Sequence, residues 1–211
     1  MPLFILGGAG GGGSVANQFR ILTFTNDEQC NEIGTVVTSV TFNWQFANGV
    51  PVEQSIQPSV GSIPPGDRTV ALPEQLITTD TTFTLTAKNE ETTRTATSSV
   101  GFYYPTFFGS VPNINPTEAD ILNMARYVNG FKPFTATVNI SNAHSCFVSP
   151  MTNPIIDIRE RIFGLSFWDT FIIINNVPIH MLDGLPVLCR VAVRSIPEDT
   201  MGLDIQLDVI F

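Results

Sequence analysis

Lysine is almost missing from this sequence: Lys88 and Lys132 are the only two in 211 residues. The eight arginines are dispersed, with only Arg159 and Arg161, and Arg190 and Arg194, close to pairing, and the net charge is −9. Nucleic acid is bound by clustered cations, so it is not an expected partner. Charged residues of both signs reach only 14%, against roughly 25% in an average soluble domain. Hydrophobic residues reach 43%. That balance is the reverse of the one that keeps chains disordered. The surface is therefore expected to consist of Thr, Ser and Asn, or to be covered by other subunits.

Long apolar runs are also missing. No stretch of 18 or more apolar residues occurs, so no membrane span is expected. Leu3, Phe4, Ile5 and Leu6 form a short apolar run with no basic residue before it, so no secretory leader is expected. Cysteine is scarce. Cys30, Cys146 and Cys189 are odd in number and fit no metal-binding spacing. Three free thiols in a reducing cytosol are the expectation, and a Cys146–Cys189 disulfide is the alternative for an exported chain.

Catalytic signatures are missing too. There is no P-loop, dinucleotide fingerprint, nucleophile elbow or His-Glu-x-x-His. His144 lies two residues from Cys146, a spacing that places both on one face of a strand. A Cys–His nucleophile needs a third, orienting group, and none is evident. His180 and Asp183 flank a turn at Gly184 and read as solvated. Asp157, Glu160, Asp169 and Asp183 are candidates for the paired carboxylates of a glycosidase, but they are scattered. Asp204 and Asp208 fall on the outward face of a strand, where a solvated face is favoured over Ca²⁺ binding. No catalytic residue, cofactor or metal ligand is assigned, and the chain is expected not to be an enzyme.

What the sequence does hold is period-two alternation. Val40-Thr41-Phe42-Asn43-Trp44-Gln45-Phe46 places every second side chain on an apolar face. Asn48-Gly49 follows as a turn signal. Thr82-Phe83-Thr84-Leu85-Thr86-Ala87 alternates in the same way, and Thr92–Tyr104 is a further strand-like run. Phe42, Trp44, Phe83 and Leu85 are the predicted core. Phe134–Ile140 and Leu203–Val209 alternate as well, Leu165–Ile174 and Leu185–Val193 are more continuously apolar, and Ile155–Phe163 reads equally as strand or helix. Thr117-Glu118-Ala119-Asp120 has the form of a capping box. With Ile121, Leu122, Ala125 and Val128 at helical spacing and Asn129-Gly130 as a stop, a helix is predicted near 118–128.

Three segments follow: an apolar, Gly-rich arm over 1–14, a β-domain over 15–105, and a second β-domain over 106–211. The arm's residues 7–14, Gly-Gly-Ala-Gly-Gly-Gly-Gly-Ser, have tether composition. Leu3, Phe4, Ile5 and Leu6 are the candidate docking residues, since an extended apolar peptide can add to a neighbour's sheet edge.

Trp44, on the apolar face of a central strand, resembles the core Trp of immunoglobulin-like sandwiches without their disulfide. The order of the pieces resembles a class of bacteriophage structural proteins. The residues that carry this are Thr79–Ala87, the aromatic connector Phe102-Tyr103-Tyr104-Pro105 and Phe107-Phe108-Gly109, the short strand Cys146-Phe147-Val148-Ser149-Pro150, and Val187–Ser195 with Leu203–Phe211. The resemblance implies an all-β chain: an N-terminal Ig-like β-sandwich, then a second β-sandwich-like domain with one short helix. It implies a non-enzymatic virion protein of a tail, baseplate or fibre, made in the host cytoplasm. Its partners would be copies of itself, a trimer first, and other virion proteins. Capsid decoration is one alternative. A carbohydrate-binding adhesin is another, with Tyr103, Tyr104 and Trp168 stacking on host-surface polysaccharide.

Overall fold

The computed structural model describes residues 18–201 and 204–211. The anchor residues Leu3, Phe4, Ile5 and Leu6 lie outside the described residues, as does Leu203. The fold is all-β, with several sheets and one short helix. Its residues form two compact units.

Among the described residues, the first half of the chain forms eight strands. They are β1 (Arg20–Asn26), β2 (Cys30–Glu32), β3 (Val37–Ala47), β4 (Glu53–Gln57), β5 (Gly61–Ile63), β6 (Thr69–Ile77), β7 (Thr81–Lys88) and β8 (Thr93–Tyr103). The first unit holds the described residues up to Asp27, with Ser39–Pro73 and Thr82–Ser99. One of its layers is ordered β1-β3-β6, and the other runs β5-β4-β7-β8. These neighbour orders are those of an immunoglobulin-type sandwich, read as A-B-E and C′-C-F-G.

The alternation in β3 explains its burial. Val40, Phe42 and Trp44 are buried, while Asn43 and Gln45 are exposed. From the facing layer come Ile56, Phe83 and Leu85, also buried. The Phe42 and Phe83 rings meet at 4.8 Å between centroids, and Phe24 stacks on Phe42 at 5.5 Å. Burying each such side chain contributes about 1.5–3 kcal/mol. The Trp44 indole N–H donates to Gln54 Oε1 at 3.1 Å, so the buried polar tip has a partner. Gln54 is itself buried, and its amide donates to the carbonyls of Pro64 and Asp67. Trp44 sits on the second strand of the immunoglobulin order, not on the third, where those domains carry their Trp. Its likeness to that residue is therefore one of burial and not of position.

The second unit holds Glu28–Thr38, Glu74–Thr81 and Val100–Phe211. The predicted boundary at Tyr104-Pro105 lies inside it. Here β2 pairs in parallel with Gly101–Tyr103, the end of β8. Gly34 has φ +93°, and a Cβ there would stand 2.6 Å from the Asp183 nitrogen. Only glycine permits that approach.

The remaining elements are β9 (Thr106–Val111), α1 (Glu118–Leu122), β10 (Ala125–Tyr127), β11 (Phe134–Val138), β12 (His144–Pro150), β13 (Asp157–Glu160), β14 (Phe171–His180), β15 (Pro186–Arg194) and β16 (Ile205–Ile210). A five-stranded sheet is ordered β10-β9-β12-β15-β14, and a three-stranded one β11-β16-β13. Phe147, Ala192, Phe171, Ile158, Leu207 and Val209 pack together in one core. The opposite side chains of the larger sheet, among them Cys146, Val148, Val191 and Val193, pack in a second core with Ile121 and Met124. All of β12 is buried.

The helix predicted near 118–128 ends early. The capping box is present: the Thr117 hydroxyl accepts from the Asp120 N–H, and the Asp120 carboxylate accepts from the Thr117 N–H. Yet α1 stops at Leu122, and Ala125–Tyr127 form β10 against β9. Met124 N–H donates to the Ile121 carbonyl, a three-residue tightening that closes the helix. Strand pairing then overrides the helical spacing of Ala125 and Val128. The ambiguous stretch after Ile155 resolves as the strand β13.

Candidate functional site

The candidate nucleophile pair is His144 and Cys146. Both lie on β12. Cys146 is fully buried, and burial pushes its thiol up to about 12, with a smaller contribution from the Asp120 charge. A nucleophile needs the thiolate; this environment keeps the proton on. His144 Nδ1 meets the Arg194 carbonyl oxygen at 2.7 Å. Cys189 is buried and is likewise pushed up to about 12. All three cysteines are free. Cys146 stands opposite Val193, and Cys189 opposite Pro150, so they are four positions apart along the ladder. At about 3.3 Å per residue, that separation is too long for a disulfide.

The carboxylates do not gather either. Asp157 accepts from Arg159 Nε at 2.6 Å, the Ser166 hydroxyl at 2.6 Å and the Ile158 N–H at 2.9 Å. Burial opposes its charge, but these donors together hold the carboxyl below its usual range. Glu160 caps a turn by accepting from the Ile162 and Phe163 N–H groups at 2.8 and 2.7 Å. Asp183 accepts from Leu185 N–H at 3.1 Å and from the Tyr104 hydroxyl at 3.5 Å. Asp169 is exposed in a 3-10 turn at Trp168–Thr170. His180 pairs with Glu118, whose carboxyl is lowered by the His180 backbone N–H and ring. Asp204 accepts from Asn139, and Asp208 from Thr135. Among the described residues no three His, Cys, Asp or Glu side chains converge on one point.

The aromatics proposed for sugar stacking are half-buried. Tyr103 meets Phe131 edge-on at 6.0 Å, and Trp168 stacks on Phe171 at 6.4 Å. Tyr104 packs on the second core, with its hydroxyl on Asp183. Each ring therefore spends at least part of its face on the protein itself.

Two features carry more, and sequence reasoning passed over both. The first is a cavity of about 240 Å³ in the second unit. Val138, Ile140, Phe167, Ile205 and Leu207 make its apolar lining. Ser145, Arg194 and Glu198 form a clamp at its side: the Ser145 hydroxyl donates to Glu198, and Arg194 pairs with the same carboxylate. The Arg194 guanidinium also lies 5.0 Å from the Phe167 ring centroid. Both oxygens of Glu198 are thus engaged. What the site offers a ligand is an apolar recess with a polar side.

The second feature is an apolar turn. Ile162 is 80% exposed and Phe163 78%, with Leu165 close behind. Their backbone is nevertheless pinned. Besides the two bonds to the Glu160 side chain, Gly164 N–H donates to the Glu160 carbonyl and Glu160 N–H to the Leu165 carbonyl, both at 2.9 Å. Phe167 N–H donates to the Ile158 carbonyl at 2.8 Å. The turn thus holds two large apolar side chains in water at a fixed place. The signal was present in the sequence: Ile-Phe-Gly-Leu stands where a surface turn normally carries polar residues.

No protein-family model, no curated protein and no solved structure matches the chain.

Proposed function

We propose that this protein is a non-enzymatic structural subunit, a component of a bacteriophage tail, baseplate or fibre that works by assembling with copies of itself and with other virion proteins. The observation that carries the assembly reading is the ordered, exposed apolar turn at Ile162 and Phe163. Exposed apolar surface held in place marks an interaction site. Leu76, Ile196 and Met201 are further large apolar side chains left exposed. Low charge supports the same reading, because a surface with few charges resists association weakly. The assignment to a virion rests on the Thr-rich strand, the aromatic connector and the terminal strand named above.

Light scattering on the purified chain tests the assembly reading. The expected mass is a multiple of 23.0 kDa, with a trimer first. A plain monomer at every concentration would overturn it. A gold label on the chain then tests the finer assignment. Label at the tail end of the particle supports it. Label over the capsid faces replaces it with capsid decoration.

A further inference from the structure

We propose that the open edge of β14, at Phe171–Ile174, accepts residues Leu3–Leu6 of a second copy of this chain as an added strand. The inference deepens the assembly reading and rests on it. Its first support is the hydrogen-bond register. Ser195 N–H donates to the Thr170 carbonyl at 2.9 Å. Ile172 then faces Val193, and Ile174 faces Val191. In an antiparallel ladder, bonded positions alternate with positions whose main-chain groups point away. The groups of Ile172 and Ile174 therefore serve β15, and those of Ile173 point to the open side. The Phe171 carbonyl points there too, while its N–H is taken by the Trp168 carbonyl. Among the described strands, only β15 neighbours β14.

The second support is contrast with the other edges. Proteins blunt sheet edges with charge, proline, bulges or brevity. Arg20 and a register shift at Ile21/Thr23 mark β1. Pro73 and Glu74, with φ +59°, interrupt β6. Three residues each make up β2, β5 and β10. Asp157, Arg159 and Glu160 charge β13, and β11 follows Pro133 and lies alongside β9. On β14, the irregularity at Ile174/Val177 and Pro178 blunt only the second half. Phe171-Ile172-Ile173-Ile174 has none of these devices.

The occupant follows from the chain outside the described residues. Seventeen residues precede Gln18. They contain one uncharged apolar run, Leu3-Phe4-Ile5-Leu6, which matches the open segment in length and character. Eleven further residues, mostly glycine at first, lead to Gln18; fully extended they span about 40 Å. Neither partner brings charge to the contact, so two chains of net charge −9 meet there without local repulsion.

The test is complementation. One variant lacks residues 1–6 and keeps the edge. The other carries Ile173→Pro and keeps the arm; its lost N–H points outward, so the β15 ladder is retained. Circular dichroism checks folding, and Ile172→Lys replaces the proline variant if that one does not fold. Expected by light scattering: the full chain, 23.0 kDa as a monomer, is a multimer, each variant alone has the mass of its own monomer, and an equimolar mixture gives a heterodimer with the summed mass of the two variants. A truncated chain that keeps the full chain's mass overturns the inference and leaves the assembly reading standing; so does a mixture that stays monomeric. A truncated chain that dimerises while Ile173→Pro does not also overturns it, in favour of two β14 edges pairing with each other. A monomeric full chain overturns the assembly reading itself.

Discussion

Strands β3 and β12 both run through the middle of a sheet, and they meet the burial problem in different ways. On β3, Phe42 and Trp44 face the core while Asn43 and Gln45 face water. On β12, every residue from His144 to Pro150 is buried. Phe147 packs in one core, and Cys146 and Val148 in the other. A strand with one wet face needs polar residues at alternate positions only for solubility. A strand covered on both faces needs a partner for each polar atom it carries. Here β12 meets that need locally: the Ser149 hydroxyl accepts from the Ile155 N–H at 2.8 Å, the Ser145 hydroxyl donates to Glu198, and His144 engages the Arg194 carbonyl. Burial on both faces therefore tolerates serine and histidine, provided the neighbouring loops return to them.

Paired substitutions sharpen this contrast most. Phe42→Ala and Phe147→Ala should each cost about 3–5 kcal/mol in urea unfolding. Their sequence neighbours should then part company. Asn43→Thr should stay within about 0.5 kcal/mol of the parent, whereas Val148→Ala should cost about 2 kcal/mol. A Val148→Ala variant as stable as the parent would break the claim that β12 is covered on both sides.

The same contrast decides what was legible in the sequence. Phe42, Trp44, Phe83 and Leu85 announce themselves because Thr, Asn and Gln stand between them. That spacing exists only where one face is solvated, and the all-β class follows from it. His144–Pro150 shows no such spacing, so its central place in the larger sheet was hidden. The helix start at Thr117 was legible because its capping bonds are local. Its end was not, because the pairing of Ala125 with Phe108 and of Tyr127 with Thr106 is long-range. A boundary read along the chain also presumes contiguous domains, while the second unit draws on Glu28–Thr38 and Glu74–Thr81. For the candidate site, the arm could be read from composition. The open edge could not, because being an edge depends on which strands pair elsewhere.

The buried thiols of the second unit give the next prediction, and its sign follows from linkage. Cys146 and Cys189 are raised from 9.0 to about 12 by burial. The folded protein therefore keeps these protons where the unfolded chain releases them. Stability is intact below about pH 9 and falls as pH rises from there towards 12. Cys146→Ala and Cys189→Ala together should flatten that alkaline limb. At neutral pH a thiol reagent should label Cys30, which is partly exposed, and leave the other two unreacted until urea is added. Rapid native labelling of all three would show that the core around β12 opens far more readily than its packing implies.

The smallest expected change in stability comes from a phenylalanine that neither core uses. Phe163 is 78% exposed, while Phe147 is fully buried, so the two residues share a chemistry and differ only in surroundings. Phe163→Ser removes almost no buried area, and the bonds that shape its turn run through the backbone and Glu160. Unfolding free energy should shift by less than about 0.5 kcal/mol. If the turn is a docking element, the loss should appear instead as a fall in the multimer fraction at a fixed concentration, with the monomer unchanged in its circular dichroism. A large loss of stability would mean that Phe163 is covered in the isolated chain. An unchanged multimer fraction would remove the turn from the interface, and the weight of the assembly reading would then pass to the open edge of β14.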